Sequence, residues 1–230
     1  MPALSVVSKP IKLVIVGTSA FAQIAFEYFT ADSDYEVVAF SAERTYLDRC
    51  EMFEKPVVAF EDIDQRFPTE SHEIFVAVTY GQLNRVRTRL AQEAKGKGYR
   101  LASYVSSRAF LWRNAIVGEH CFIFEDNTVQ PFVRIGNNVV LWSGNHIGHH
   151  SVIGDNCFIS SHVVISGFVE LGANCFAGVN ATVANNVRIG ADCVLGAGCC
   201  ITRDIERDSV VRGQVSEVGV GARRLFKVRA

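Results

Sequence analysis

From Val105 to Ile201 every sixth residue is aliphatic, seventeen positions in a row without one insertion. A helix repeats its apolar positions at about 3.6 residues and an ordinary strand at 2, so a strict period of six predicts very short strands joined by corners. The residue after each aliphatic one is small in most cases, often glycine (Gly118, Gly136, Gly148, Gly154, Gly172, Gly178, Gly190, Gly196). Two places further on, Asn or Asp recurs, as at Asn138, Asn156, Asn174, Asn186 and Asp192. These residue types tolerate the tight or left-handed backbone that a corner requires. The fifth position is small (Ala109, Cys121, Val139, Ser151, Cys157, Cys175, Cys193) and suits a second inward site. Asn127 and Asn145 break that pattern, so either needs an internal hydrogen-bond partner if it points inward. If three such hexads close one coil, seventeen make nearly six coils, roughly 27 Å tall at the spacing of a β-ladder.

The hundred residues ahead of the repeat read differently. Lys12 to Val16 is a buried-strand signal, followed by the turn Gly17-Thr18-Ser19-Ala20 and an amphipathic stretch from Phe21 to Phe29. Further strands are expected at Glu36 to Phe40, Pro56 to Phe60 and Ile74 to Val78, then a charged helix from about Gln82 to Lys95. Parallel strands with crossover helices predict a Rossmann-like domain over residues 1–104, running without a linker into the β-helix of 105–206 and a tail of 207–230. Ligands of open α/β sheets sit beyond the carboxyl ends of the strands, which selects Gly17, Thr18, Ser19, Phe21, Ser41, Arg44, Thr79 and Tyr80 as candidate substrate-binding residues. The turn GTSAFA is not GxGxxG, so no dinucleotide cofactor is expected.

Charge narrows the partners. Twenty-three Lys and Arg against 24 Asp and Glu, with basic residues concentrated only at Arg223, Arg224, Lys227 and Arg229, leave no footprint for nucleic acid or an anionic membrane. No apolar run reaches the ~18 residues of a spanning helix. The opening MPALSVVSKPIKLVIVG has no basic n-region, long apolar core or cleavage site, so the seven cysteines are expected to be reduced thiols of a cytoplasmic protein. Five occupy the small fifth position, leaving Cys50 and Cys200 for exposure.

Four of six histidines fall within GNHIGHHSVIGDNCFISSH. His149 and His150 stand third and fourth in their hexad, at an outward-facing corner where an imidazole can transfer a proton near neutral pH. The bland alternative is a pair of solvated corner histidines. His146, His150, His162 and Trp142 are candidates for an acceptor or coenzyme A site. A zinc site built from the histidines is a rival reading, since hexapeptide β-helices also carry γ-class carbonic anhydrases; no carboxylate or Cys stands at an obvious ligand spacing, and no metal is assigned.

The whole pattern resembles the sialic-acid O-acetyltransferase-like family of bacterial sugar acyltransferases, which includes nucleotide-amino-sugar N-acetyltransferases. The resemblance implies a left-handed parallel β-helix behind the α/β domain, acetyl-CoA as co-substrate, a sugar or nucleotide sugar as acceptor, and a homotrimer with acetyl-CoA between two helices. It implies N-acetylation in surface glycan synthesis, with sugar O-acetylation as the alternative and a non-catalytic trimeric scaffold as a third. His149 matches the family's general base. Gly167, one coil on, matches the glycine whose amide meets the acetyl carbonyl. Three departures stand out: Phe21 where the family carries a turn histidine, Ser41-Ala42-Glu43-Arg44 where it carries paired aspartates, and His150 where it carries an acidic neighbour of the base. Either Arg44 or the Thr79 and Tyr80 pair is expected to compensate.

Overall fold

The computed structural model describes residues 11–213 and Val215; residues 1–10 and the basic run from Arg223 to Arg229 lie outside the described residues. The front of the chain forms β1 (Ile11–Val16), α1 (Ala20–Ala31), β2 (Tyr35–Ala42), β3 (Glu51–Met52), β4 (Lys55–Ala59), the short α2 (Ile63–Arg66), β5 (His72–Val76), α3 (Arg85–Gly96) and β6 (Arg100–Leu101). They make one sheet in the order β3-β4-β2-β1-β5-β6, parallel except for the β3–β4 pair. β1 is apolar throughout because it is covered twice: Leu13 and Ile15 face α1, whereas Val14 and Val16 pack in the cluster that holds α3. Gly17 ends β1 at φ +133°, and a Cβ there would lie 2.7 Å from the Ala77 carbonyl oxygen, so no larger residue fits the turn.

Ala102 and Ser103 are all that separates β6 from the first strand of the solenoid. The hexads then build three parallel sheets. The first face carries Tyr104–Val105, Phe122–Ile123, Val140–Leu141, Phe158–Ile159, Phe176–Ala177, Val194–Leu195 and a last strand, Val210–Val211, beyond the hexad register. The second runs from Phe110–Leu111 to Cys200–Ile201 and includes His146–Ile147; the third runs from Ile116–Val117 to Arg188–Ile189. Each hexad strand pairs with the one eighteen residues on, for example His146 with Val164, and only the last strand departs, Val194 pairing with Val210. The aliphatic column fills the interior together with the fifth-position residues, including Cys121, Cys157, Cys175, Cys193 and Cys199. Cys157 Sγ donates to the Gly172 carbonyl (3.2 Å), and burial pushes the Cys121 thiol up to about 11, so these are packing thiols. Cys50 and Cys200 are exposed. The fourth position of the hexad is left-handed throughout the central coils, for example at Asn138 (φ +56°), Asn156 (+62°) and Asn174 (+60°). The two inward asparagines both bond internally. Asn145 donates to the Trp142 carbonyl and accepts from the Val163 amide; Asn127 donates to the Phe124 and Trp142 carbonyls, while its Oδ1 has no partner among the described residues.

The front domain sits on the first face through stacked aromatic rings and one buried polar network. Phe21, Phe29 and Phe75 pack on Phe122, with ring centroids 5.2 to 5.7 Å apart. Arg87, fully buried in α3, reaches the Asn138, Asn156 and Cys157 carbonyls of the solenoid as well as Val78 and Thr79 of its own domain. Its Nε donates to Asn138 Oδ1 (3.0 Å), which also accepts from His120 Nδ1 (2.8 Å). His120 Nε2 accepts the Val76 amide, which fixes the neutral tautomer. Burial, reinforced by the Arg87 charge, pushes this imidazole down to about 3.

Two outcomes follow. Arg87→Ala strands several buried carbonyls and is expected to lower unfolding free energy by about 3–5 kcal/mol in urea titration. His120 binds a proton in the unfolded chain from about pH 6.5 downward but not in the folded chain until about pH 3, so stability falls through that window. At pH 5 the loss should reach about 2 kcal/mol relative to pH 8. His120→Asn should flatten that acid slope, and an unchanged slope would show that His120 does not set it.

Candidate active site

Six residues turn this chain through one third of a coil, so the histidine-rich segment is dispersed around the solenoid. His146 lies on the second face beside Thr128 and Val164. His162 stands at the edge between the first and second faces, its ring against Gly144. Trp142 belongs to the domain interface, 4.4 Å from Phe124 and 5.6 Å from Phe21 between ring centroids. Within one chain none of the three is at the His149 corner, so His146, His150, His162 and Trp142 are not brought together there. Only His150 stays with His149.

That corner is the edge between the second and third faces. The His149 ring lies directly over Gly167, where a Cβ would come within 2.7 Å of its Cε1 and 2.9 Å of its Nε2. The glycine is therefore required by the imidazole above it. Gln130 Oε1 accepts the His149 amide at 2.9 Å and fixes the backbone. His149 Nδ1 and His150 Nδ1 share a hydrogen bond of 3.2 Å. The Gly167 amide donates to Asn185 Oδ1 (2.8 Å), so it reaches an acyl oxygen only by exchanging that bond. Gln130 and Asn185 carried no signal in the sequence beyond their place one coil away.

In the front domain the turn after β1 opens on a cleft of about 660 Å³. Gly17, Thr18 and Ser19 line it, as expected from the sequence, and so does Gln82 at the end of the segment after β5; Tyr46, Arg85 and Arg89 also line it and were not anticipated. Arg85 pairs with Asp192 of the solenoid at 2.5 Å, and Arg89 pairs with Glu43 and Glu93. The other expected residues do not line this cleft. Phe21 is buried in the interface because Phe21, Ala25 and Phe29 form the apolar stripe of α1. Ser41 is buried at the end of β2, where its carbonyl accepts the Gly17 amide. Arg44 is held in an exposed ion pair with Asp62 (2.6 Å). Thr79 gives its carbonyl to Arg87, and the Tyr80 ring packs on Phe158 and Phe176. Among the described residues no three His, Cys, Asp or Glu side chains come together as a metal site, and no helix is long and apolar enough to cross a membrane.

The model of the bacterial transferase hexapeptide (six repeats) family matches residues 132–167 and 168–203. The solenoid is a hexapeptide-repeat helix. Its stacked parallel sheets fit the left-handed β-helix expected from the sequence. No curated protein matches the sequence. Among solved structures, the acetyltransferase domain of PglB from Neisseria gonorrhoeae is 22% identical, with 88% of this chain and 96% of that one covered and a TM-score of 0.79; it has also been solved with acetyl coenzyme A. PerB from Caulobacter crescentus, in complex with CoA and GDP-perosamine, is 24% identical over 88% and 94% of the two chains (TM-score 0.79). WeeI from Acinetobacter baumannii is 15% identical over 88% and 97% (TM-score 0.61). At such identities the likeness is one of fold.

The topology of the hexapeptide helix separates the cleft from the histidine. The front domain covers the first face and reaches both edges that flank it: Asn84 and Arg87 bond the Asn156, Asn174 and Cys175 segments on one side, and Tyr28 and Asp32 bond Glu125 and Ser107 on the other. His149 occupies the third edge of the triangle, opposite the covered face. Within one chain the cleft belongs to the domain on the first face and the imidazole to the edge opposite that face.

Proposed function

We propose that this chain is an acetyl-CoA-dependent sugar acyltransferase that acetylates the amino group of a nucleotide-linked amino sugar, with His149 as general base. The observation that carries the reading is the exposed His149 ring seated over Gly167 on the edge of a hexapeptide helix. The acceptor amine attacks the thioester carbonyl as His149 Nε2 takes its proton; the tetrahedral intermediate collapses, and the imidazolium returns the proton to the departing thiolate of coenzyme A. The Gly167 N–H meets the developing oxyanion after trading Asn185 Oδ1 for the acyl oxygen. The nucleotide sits in the cleft between Gly17, Ser19 and Tyr46, with its phosphates at the N-terminus of α1. The fold shared with proteins solved with acetyl coenzyme A and with GDP-perosamine supports the substrate classes.

A complete site then needs two chains, because the cleft of one protomer must face the His149 edge of another. A heterologous contact of this sort closes as a ring, which supports a homotrimer. Reduced thiols in the core fit a cytoplasmic enzyme.

Thermal unfolding with coenzyme A and with UDP-, dTDP- and GDP-sugars tests the reading. A ligand at about a hundred times its Kd should add about 2.7 kcal/mol of stability and raise Tm accordingly. Coenzyme A and one nucleotide class are expected to do so, and mass spectrometry of the product then shows whether nitrogen or oxygen is acetylated. Stabilisation by neither coenzyme A nor any nucleotide sugar would sink the proposal.

A further inference from the structure

His150 stands in a column that breaks the rule of its own corner. Positions 132, 150 and 168 lie one coil apart, and all three are left-handed, at φ +65°, +62° and +58°. Most other such corners carry Asn or Asp, which adopt this backbone cheaply, whereas a bulky aromatic residue there is strained. Here the column is Phe132, His150, Phe168. The rings stack: Phe132 lies 4.6 Å from His150 at 30° between planes, and Phe168 lies 4.8 Å from it at 18°. Phe168 also meets the His149 ring edge-on at 5.1 Å. Both phenylalanines remain about half exposed, so burial alone does not explain their place at a strained corner. What the stack achieves is to hold one imidazole plane.

We infer that His150, clamped between Phe132 and Phe168, is the positioning residue that sets the tautomer of His149. A hydrogen bond between two Nδ1 atoms needs one donor and one acceptor, so the pair is not doubly protonated at those atoms. His149 donates from Nδ1 and His150 accepts with its Nδ1 lone pair, carrying its own proton on Nε2. This leaves the lone pair of His149 on Nε2, over Gly167, where the acceptor's proton must go. When His149 becomes an imidazolium, its Nδ1–H still has the neutral His150 acceptor. A neutral imidazole thus does by hydrogen bonding what a carboxylate does in other His-based sites, without adding negative charge to the corner.

The inference rests on His149 being the base, but its first readout does not need turnover. In protein labelled with 15N-histidine at pH 8, His149 is expected as the Nδ1–H tautomer. In His150→Gly, which suits a left-handed corner and keeps the fold, His149 should revert toward the Nε2–H form that free histidine prefers. In His150→Asn the amide oxygen occupies the place of Nδ1 and accepts, so the Nδ1–H tautomer should persist. In turnover, His150→Gly should lower kcat about tenfold or more with KM for acetyl-CoA unchanged, and His150→Asn should restore most of kcat. An Nε2–H tautomer at His149 in the unaltered protein, or no change in His150→Gly, would overturn the inference whether or not the chain transfers acetyl groups. An Nδ1–H tautomer in a protein that never turns over would instead leave the dyad standing and remove the base assignment.

Discussion

His149→Ala should lower kcat for acetyl transfer by about 10²- to 10⁴-fold, followed as release of the coenzyme A thiol, with little change in Tm. The small stability effect follows from the position of the side chain: it is exposed, and among the described residues its one polar side-chain partner is His150. The large rate effect follows from the proposed chemistry, since an attacking amine must lose a proton as the C–N bond forms and the His149 ring over Gly167 is the proposed acceptor of it. Gly167→Ala is the matching insertion. Its Cβ would stand 2.7 Å from His149 Cε1, so the ring must tilt away, and turnover should fall without any group being lost from the chemistry. If His149→Ala kept near-full turnover with acetyl-CoA and the true acceptor, the base would have to be sought elsewhere and the edge would be a structural corner.

The period of six determined most of what could be read in advance. It fixes which residues point inward, so the aliphatic column, the buried cysteines and the left-handed Asn corners were legible before any coordinates. The same arithmetic separates the histidines, because His146, His149 and His162 differ by fractions of a coil that place them on a face and on two different edges. Their closeness in sequence masked this. His149 and Gly167 were legible as a pair because eighteen residues make one full turn. The front domain was less transparent at the level of single residues. Phe21 follows a small-residue turn where ligands commonly sit, yet its spacing with Ala25 and Phe29 already marks it as core. Arg44 reads as a substrate-binding candidate but is held by Asp62, a contact between residues eighteen apart that no local pattern announces. Arg87 and His120 join across more than thirty residues through Asn138, and a polar network of that kind carries no periodic signature.

Two inactive variants mixed together should regain activity. Ser19→Trp places an indole in the front cleft at an exposed position whose side chain makes no capping bond, so the fold should persist while the acceptor is shut out. His149→Ala removes the base. Each alone is expected to be nearly inactive. If the cleft of one chain works with the His149 edge of the next around a ring, random mixing of equal amounts gives an intact pairing at about one site in four, and so about a quarter of the unmodified activity. In one chain the cleft belongs to the domain on the first face and His149 to the edge opposite that face, and this placement is what the mixing experiment probes. Co-expression with two affinity tags and sequential purification isolates the mixed assemblies, and light scattering gives their size. Mixed assemblies that stay at background would mean that cleft and base act in the same chain or not together at all; recovery near one third of the unmodified activity, one intact site in each mixed ring of three, would establish a site shared between neighbours.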